Sequence, residues 1–291
     1  MSGRFGFHLL DTHDLERIHC ASLGVLERTG ILIRHVCARQ LLQSEGAHVD
    51  ETSDLVRIPP ELVSRAIDSS PGTVVLQGLG ADPSVRDLIV GADGLQYTRS
   101  GSGLNSIVDH CVSKRRPVGR QDVVNWVRLN QALANIHIVS ALFDQERSPQ
   151  TADVRSMAVM LQYTDKPLMT SAMGGKGIRI IKRMVEAVQN PTRMARVMVL
   201  SSVNSPLLYS ADQTEAALAC AEEGFPVAIN SSSMASAAGP ATLSGNVTLM
   251  HAEMLAALTI IQLHRPGAPV SLCRASNRNE SENRFRLYRC T

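Results

Sequence analysis

Aromatic side chains are scarce in this sequence: one tryptophan, four tyrosines and five phenylalanines make up 3% of its 291 residues. Charge of one sign is lacking as well. Lys+Arg of 29 against Asp+Glu of 27 leaves a net charge of +2, too weak to point to nucleic acid or an acidic membrane surface. Cys20, Cys37, Cys111, Cys220, Cys273 and Cys290 form no CxxC pair. That spacing suggests neither a disulfide framework nor a zinc knuckle and predicts reduced, mostly buried thiols. No signal-peptide pattern opens the chain, because Phe5 to Leu10 is apolar only in patches and Asp11, His13 and Asp14 follow at once. The longest apolar stretch near the end, Met254 to Leu263, is about half of the ~20 residues a membrane span requires. These absences give a cytoplasmic expectation without a membrane or a nucleic acid as partner. What remains is a hydrophobic fraction of 44%, enough for a sizeable core in one large or two ordinary domains.

Period and capping predict small helices first. Leu15, Ile18, Ser22, Val25 and Leu26 share a helical face, and Gly30 stops it. A second helix covers Arg34 to Ser44 with Gly46 behind it, and Pro59-Pro60 opens a third through Ile67. Thr73 to Leu76 reads as a strand, and Gly94 to Asp109 as a hairpin broken by Gly101 and Gly103. From Gln121 the pattern alternates. Helices Asp122–Ala134, Ala152–Tyr163, Ile178–Gln189, Asp212–Glu223 and Ala241–His264 each precede a strand or follow one. The strands are Ile136–Phe143, Pro167–Met173, Arg196–Val203, Pro226–Asn230 and Pro269–Cys273. This is the rhythm of βαβ units and a parallel sheet. Five strands fit either an open doubly wound sheet or part of an eight-stranded barrel. From Arg274 to Thr291 neither helical nor strand period continues, so the tail reads as an unrelated ending.

In either architecture, sites form beyond the C-terminal ends of the strands. That nominates Asp144, Gln145 and Glu146; Ser171, Met173, Gly174 and Gly175; Asn204, Ser205 and Tyr209; and Asn230 through Met234. Ser, Asn and Asp also stand before helices simply as caps. Gly174-Gly-Lys-Gly177 misses the phosphate-loop pattern, with Thr170 at the first glycine and Gly177 at the hydroxyl position. Gly78-Leu-Gly80 and Gly101-Ser-Gly103 do not join a strand to a helix, and Lys114-Arg115-Arg116 reads as a solvated loop. Asp109-His110-Cys111 and His19-Cys20 are adjacent pairs, and His251 and Glu253 fall on different helix faces. No metal-ligand cluster and no nucleophile–histidine arrangement emerges, so from residues alone the catalytic groups stay unassigned.

Several segments in order resemble the trimethylamine methyltransferase (MttB-like) family. They are Ile18-His-Cys-Ala-Ser-Leu-Gly-Val-Leu-Glu-Arg-Thr-Gly30, Val56-Arg-Ile-Pro-Pro-Glu-Leu-Val63, Arg115-Arg-Pro117, Asp122-Val-Val, Leu133-Ala-Asn-Ile136, Lys166-Pro-Leu168 and Asn204-Ser-Pro-Leu-Leu-Tyr209. The most specific are Met234-Ala-Ser-Ala-Ala-Gly-Pro-Ala-Thr-Leu-Ser-Gly245, His251-Ala-Glu-Met-Leu-Ala256 and Arg265-Pro-Gly-Ala-Pro-Val270. The resemblance implies a TIM-type (β/α) barrel, here incomplete at about five of eight strand–helix units. It divides the chain into an N-terminal helical and hairpin extension (1–117), the incomplete barrel (118–273) and the tail (274–291). It implies transfer of a methyl group from a methylated amine to the cobalt of a separate corrinoid protein. The cobalamin is carried by that partner, with no cofactor or metal bound by this chain itself, and a homo-oligomer is compatible with this. Tyr97, Phe143 and Tyr209 are the aromatics expected to line the amine site, beside Met234, with Asp144 or Glu253 as counter-charge. Family members continue well past Val270, and the trimethylamine enzymes carry a pyrrolysine in that part. A non-enzymatic binding protein and a zinc-using corrinoid-linked enzyme are the alternatives.

Overall fold

The computed structural model describes residues 10–79, 87–91, 96–109, 112–188 and 195–274, without the side chains of Cys273 and Arg274. The chain opens with helix α1 (Thr12–Gly24), capped by the Asp11 carboxylate on the Asp14 amide, then a π-turn over Val25–Thr29. Gly30 ends it at φ +85°, where a side chain would run into the Val56 carbonyl, so only glycine turns the chain into β1 (Ile31–Ile33). Helix α2 (Val36–Ser44), strands β2 (His48–Asp50) and β3 (Leu55–Arg57), and helix α3 (Pro60–Ser69) follow. Proline at the first turn of α3 costs no hydrogen bond, because that N–H has no helical acceptor.

Two hairpins come next: β4 (Val74–Leu76) with β5 (Leu88–Val90), and β6 (Ser106–Asp109) with β7 (Lys114–Pro117). The single hairpin expected over 94–109 is therefore corrected. Its last residues pair forward with 114–117, while 98–104 lie along the next sheet, with Ser100 N donating to Ile138 O and Gly103 N to Ala141 O. The glycines that broke the alternation let this stretch run as irregular edge rather than as strand.

The alternating part reads α4 (Arg120–Ala132), β8 (Val139–Ser140), α5 (Ala152–Tyr163), β9 (Leu168–Ser171), α6 (Gly175–Val188) and β10 (Val197–Val203). It continues through β11 (Leu208–Tyr209), α7 (Ala211–Glu223), β12 (Val227–Ser231), α8 (Leu243–His264) and β13 (Val270–Arg274). Five of these strands form one parallel sheet in the order β13-β12-β10-β9-β8, so the chain adds each strand beside the last without reversing. A doubly wound sheet needs a reversal, and the described residues contain none. The helices pack in sequence, α4 on α5, α5 on α6, α6 on α7, α7 on α8.

Side-chain alternation divides the two faces of that sheet. Leu168, Val197, Val199, Val203, Val227 and Ile229 pack with the helices. Their neighbours Met169, Met198 and Ala228 face the other way and pack under Val74, Leu76 and Leu88 of the β4–β5 hairpin. The hairpin seals the N-terminal rim of the sheet, where Gln77 N donates to Ala195 O and Leu79 N to Asp165 O.

A second, four-stranded sheet, β11-β1-β3-β2, was not anticipated. Its strands have two or three residues each, too short for a period to register. It ties the N-terminal segment to the strand–helix repeat, since β1 pairs in parallel with β11. Helix α8 completes the join by packing against α1, α2, α3 and α7 as well as β12. By length and composition α8 could cross a membrane, but 78% of its most apolar window is buried within the structure. It is apolar on every side because protein surrounds it. Cys37 and Cys220 are free thiols, whereas Cys20 is disulfide-bonded, against the expectation of reduced cysteines. Cys111 and Cys290, the tail beyond Arg274, and Gly80 and His110 lie outside the described residues.

Candidate functional site

On the face away from the helices, the sheet changes character along its strands. The half nearest the β4–β5 hairpin is apolar, with Met169 beside Met198. One step on, Leu200 stands beside Ser171 and Ala228, and one further step pairs Ser202 with Asn230. The C-terminal half of this face thus carries hydroxyl and amide groups, with Asn230 Nδ2 donating to Ser232 Oγ at 2.8 Å. Ser171 and Asn230 were nominated from their place after strands. Ser202 was missed, although period two along Met198, Leu200 and Ser202 puts it on that face.

The loops after β8, β9, β10 and β12 are each held by a polar side chain from a helix. After β8, Asp144 accepts from the Glu146 amide (2.9 Å) and pairs with Arg155 (3.0 Å), whose Nη2 also donates to Asp144 O. Burial pushes the Asp144 carboxyl up, but the Glu146 amide and the Arg155 guanidinium outweigh it and hold the group below its ordinary value. After β9, Asp153 of α5 accepts from Met173 N at 2.9 Å. Gln213 of α7 receives Ser202 N at 3.0 Å and reaches Ala172 O at 3.4 Å, bridging β9 and β10. After β12, Asn246 donates to Ser233 O and receives Ser233 Oγ.

Glu253 is the most constrained of these groups. It has no exposed surface, yet it accepts from Ser205 Oγ (2.8 Å), Leu207 N (2.8 Å) and Ser231 Oγ. It therefore ties α8 to the loops after β10 and β12 together. The loop it holds is tight: Asn204 and Leu208 exchange both backbone hydrogen bonds, the Ser205–Pro206 peptide is cis, and Leu207 sits at φ +52°. Ser231 pairs with Val203, whose side chain packs with the helices, so this carboxylate lies on the helix side of the sheet rather than on the polar face.

The remaining nominated residues are dispersed. Tyr97 lies at the N-terminal rim, its hydroxyl accepting from Ile89 N and its ring edge-on to His137. Phe143 is buried in the helix-side core at the end of β8. Tyr209 is fully buried, bonded to Ser201 at 2.5 Å, and burial pushes its phenol well up. Met234 is exposed on the loop after β12. The structure thus brings Phe143 next to Asp144, and Tyr209 into the loop that Glu253 anchors, and it sets Tyr97 at the opposite rim. Among the described residues no group of three His, Cys, Asp or Glu is placed to hold a metal ion.

Sequence reasoning also passed over a buried histidine pair, His19 Nδ1 to His251 Nε2 at 3.1 Å, joining α1 to α8. Lys166 and Arg196, both buried, cap backbone carbonyls at the N-terminal rim: Lys166 Nζ reaches Asn130 O and Leu133 O, and Arg196 Nε reaches Lys166 O.

Comparison with known proteins returns the trimethylamine methyltransferase (MTTB) family over residues 4–277. The trimethylamine methyltransferase MttB of Desulfitobacterium hafniense is 31% identical over 271 residues, covering 91% of this chain and 54% of that protein. The glycine betaine methyltransferase of the same species is 27% identical, covering 91% and 55%. The proline betaine:corrinoid methyltransferase of Eubacterium limosum is 23% identical over 299 residues, covering 96% and 59%. The chain spans about half the length of the curated relatives it matches.

Proposed function

From the premise that the chain belongs to the trimethylamine methyltransferase family, we propose that it forms part of a (β/α) barrel that transfers a methyl group from a methylated amine to the cobalt of a separate corrinoid protein. The observation that carries this reading is the family match over residues 4–277, joined to a parallel sheet whose strands follow chain order. Sequential strands with every crossover on one face are how a barrel is wound. The relatives named for trimethylamine, glycine betaine and proline betaine support a substrate with an amine nitrogen that carries methyl groups.

The chemistry asks little of acid or base groups. The carbon–nitrogen bond breaks with its electron pair staying on nitrogen, and the departing methyl group accepts an electron pair from the reduced cobalt. Trimethylammonium thereby leaves as dimethylamine. A protein assists by holding donor and acceptor in line, which is worth several orders of magnitude in rate. This chain's residues would do so at the C-terminal half of the polar face, where Ser171, Ser202 and Asn230 would face the mouth of such a barrel and Asp153, Gln213, Asn246 and Glu253 fix the loops after the strands.

The test assays the chain alone and mixed with the separately expressed C-terminal half of the Desulfitobacterium trimethylamine methyltransferase. Trimethylamine, glycine betaine and proline betaine serve as donors and a reduced corrinoid protein as acceptor. The methyl–cobalt absorption spectrum should appear in the mixture with at least one donor. Its absence with all of them, both pieces being folded, overturns the reading.

A further inference from the structure

We infer that the C-terminal rim beside β8 is the electrostatic half of a protein-docking face, built to receive the carboxylates of an acidic partner. On the reading above, that partner is the corrinoid carrier.

Lys114-Arg115-Arg116, which as sequence looks like a solvated loop, is strand β7. The β6–β7 hairpin is fastened beside the end of β8, where Phe143 N donates to Leu104 O and Gln145 N to Val118 O. Two clefts open on either side of Gln145 and Glu146. One of about 330 Å³ is lined by Arg115 and Arg116, the other of about 260 Å³ by Arg120, Arg147 and Arg155. Among the described residues, five guanidiniums thus line the clefts against two carboxylates, Asp144 and Glu146.

Not all of these cations are free. Arg116 is held by Asp122 and Asp109, and Arg155 by Asp144. Lys114, Arg115, Arg120 and Arg147 are exposed and form no salt bridge among the described residues. In a chain of net charge +2, four cations outside any salt bridge on one short arc of the rim, of which Arg147 also feels the Asp144 charge, are a concentrated field.

The cleft chemistry selects the occupant. In the smaller cleft Asp144 and Glu146 stand among the guanidiniums and would repel a compact dianion such as phosphate, and in the larger one Arg116 is already held by Asp109 and Asp122, which leaves Arg115 alone to meet it. Among the described residues no aromatic ring lines either cleft to stack a base, which disfavours single-stranded nucleic acid. Singly charged carboxylates spread over a protein surface fit, each against its own guanidinium. The apolar part of such a face is at hand. Leu104, Met173, Met234 and Leu243 are all exposed around the same rim. Arginine and methionine are the side chains enriched where proteins dock.

The test measures binding of the 291-residue chain to a cobalamin-loaded corrinoid protein from a trimethylamine system, in salt from about 50 to about 300 mM. Affinity of the unaltered chain should fall steeply with salt. Arg115→Glu, Arg120→Glu and Arg147→Glu together should weaken binding about tenfold or more and flatten that dependence. Reversing Arg17, Arg183 and Arg265, which are equally exposed elsewhere, should change it less than about twofold. If the triple variant melts early, Arg120→Gln with Arg147→Gln and the salt slope of the unaltered chain decide. Binding that ignores both salt and the reversals overturns this inference and leaves the methyl-transfer reading standing. No binding by the unaltered chain overturns both. Tighter binding to single-stranded RNA than to the corrinoid protein, lost on the same reversals, assigns the patch elsewhere and overturns the inference alone.

Discussion

At Glu253 a carboxylate with no exposed surface satisfies two hydroxyls and an amide that would otherwise be stranded. Removing an acceptor from such a site leaves buried donors unpaired, which costs more than the bond contributed. Glu253→Ala should therefore destabilise the chain by about 2–5 kcal/mol, and Glu253→Gln, which keeps one acceptor oxygen, by less. Urea unfolding followed by circular dichroism checks both, and equal losses would show that shape rather than hydrogen bonding matters here. His19 and His251 make the pH-dependent counterpart. Burial lowers both imidazoles below 6.5, and His251, depressed further by His19, falls to about 3. Between about 3 and 6.5 the unfolded chain binds a proton at residue 251 that the folded chain does not. Stability is then fully present above 6.5 and is lost as pH falls through that window. From pH 7 to pH 5 the unfolding free energy should drop by about 2 kcal/mol on account of His251, and His251→Leu should remove most of that drop. In the sequence these histidines were visible only as neighbours of Cys20 and Glu253. Their contact spans 232 positions, a distance no periodicity reports.

The long elements were legible and the short ones were not. The helix expected over Ala152–Tyr163 is the helix observed, and α7 and α8 end at Glu223 and His264 as expected, because capping and a sustained apolar stripe mark such boundaries. Strand β8 shrinks from the expected Ile136–Phe143 to Val139–Ser140, since the irregular 98–104 segment, not a regular strand, bonds along its edge. The small sheet β11-β1-β3-β2 left almost no signal except its glycines. Gly30 and Gly46 both adopt positive φ, yet only Gly30 has backbone in the space a side chain would need. Gly46→Ala should cost about 1 kcal/mol, the conformational penalty alone. Gly30→Ala should cost about 2 kcal/mol or more, because the β1–β3 contact must shift as well. Urea midpoints of the two variants separate the effects, and equal shifts would mean that the β1–β3 contact yields freely.

Across the whole molecule, the polar half of the inner sheet face was legible in outline because period two is a property of single strands, whereas its enclosure depends on which strands become neighbours. β10 and β12 lie inside the sheet with partners on both sides, β8 is covered by residues 98–104, and β13 has β12 alone among the described residues. Alternate backbone groups of β13 therefore face away from β12, and an unpaired parallel edge invites another strand. Hydrogen exchange should rank the amides accordingly: slowest in Val197–Val203 and Val227–Ser231, fastest in the outward set of Val270–Arg274. If the sheet belongs to a barrel, adding the C-terminal half of the Desulfitobacterium relative should slow the β13 amides by about tenfold or more while leaving β10 unchanged. Unchanged exchange at β13, with both pieces folded and mixed, would mean that this edge does not seat the next strand. The polar face at Ser171, Ser202 and Asn230 would then be an open surface rather than the wall of an enclosed amine site.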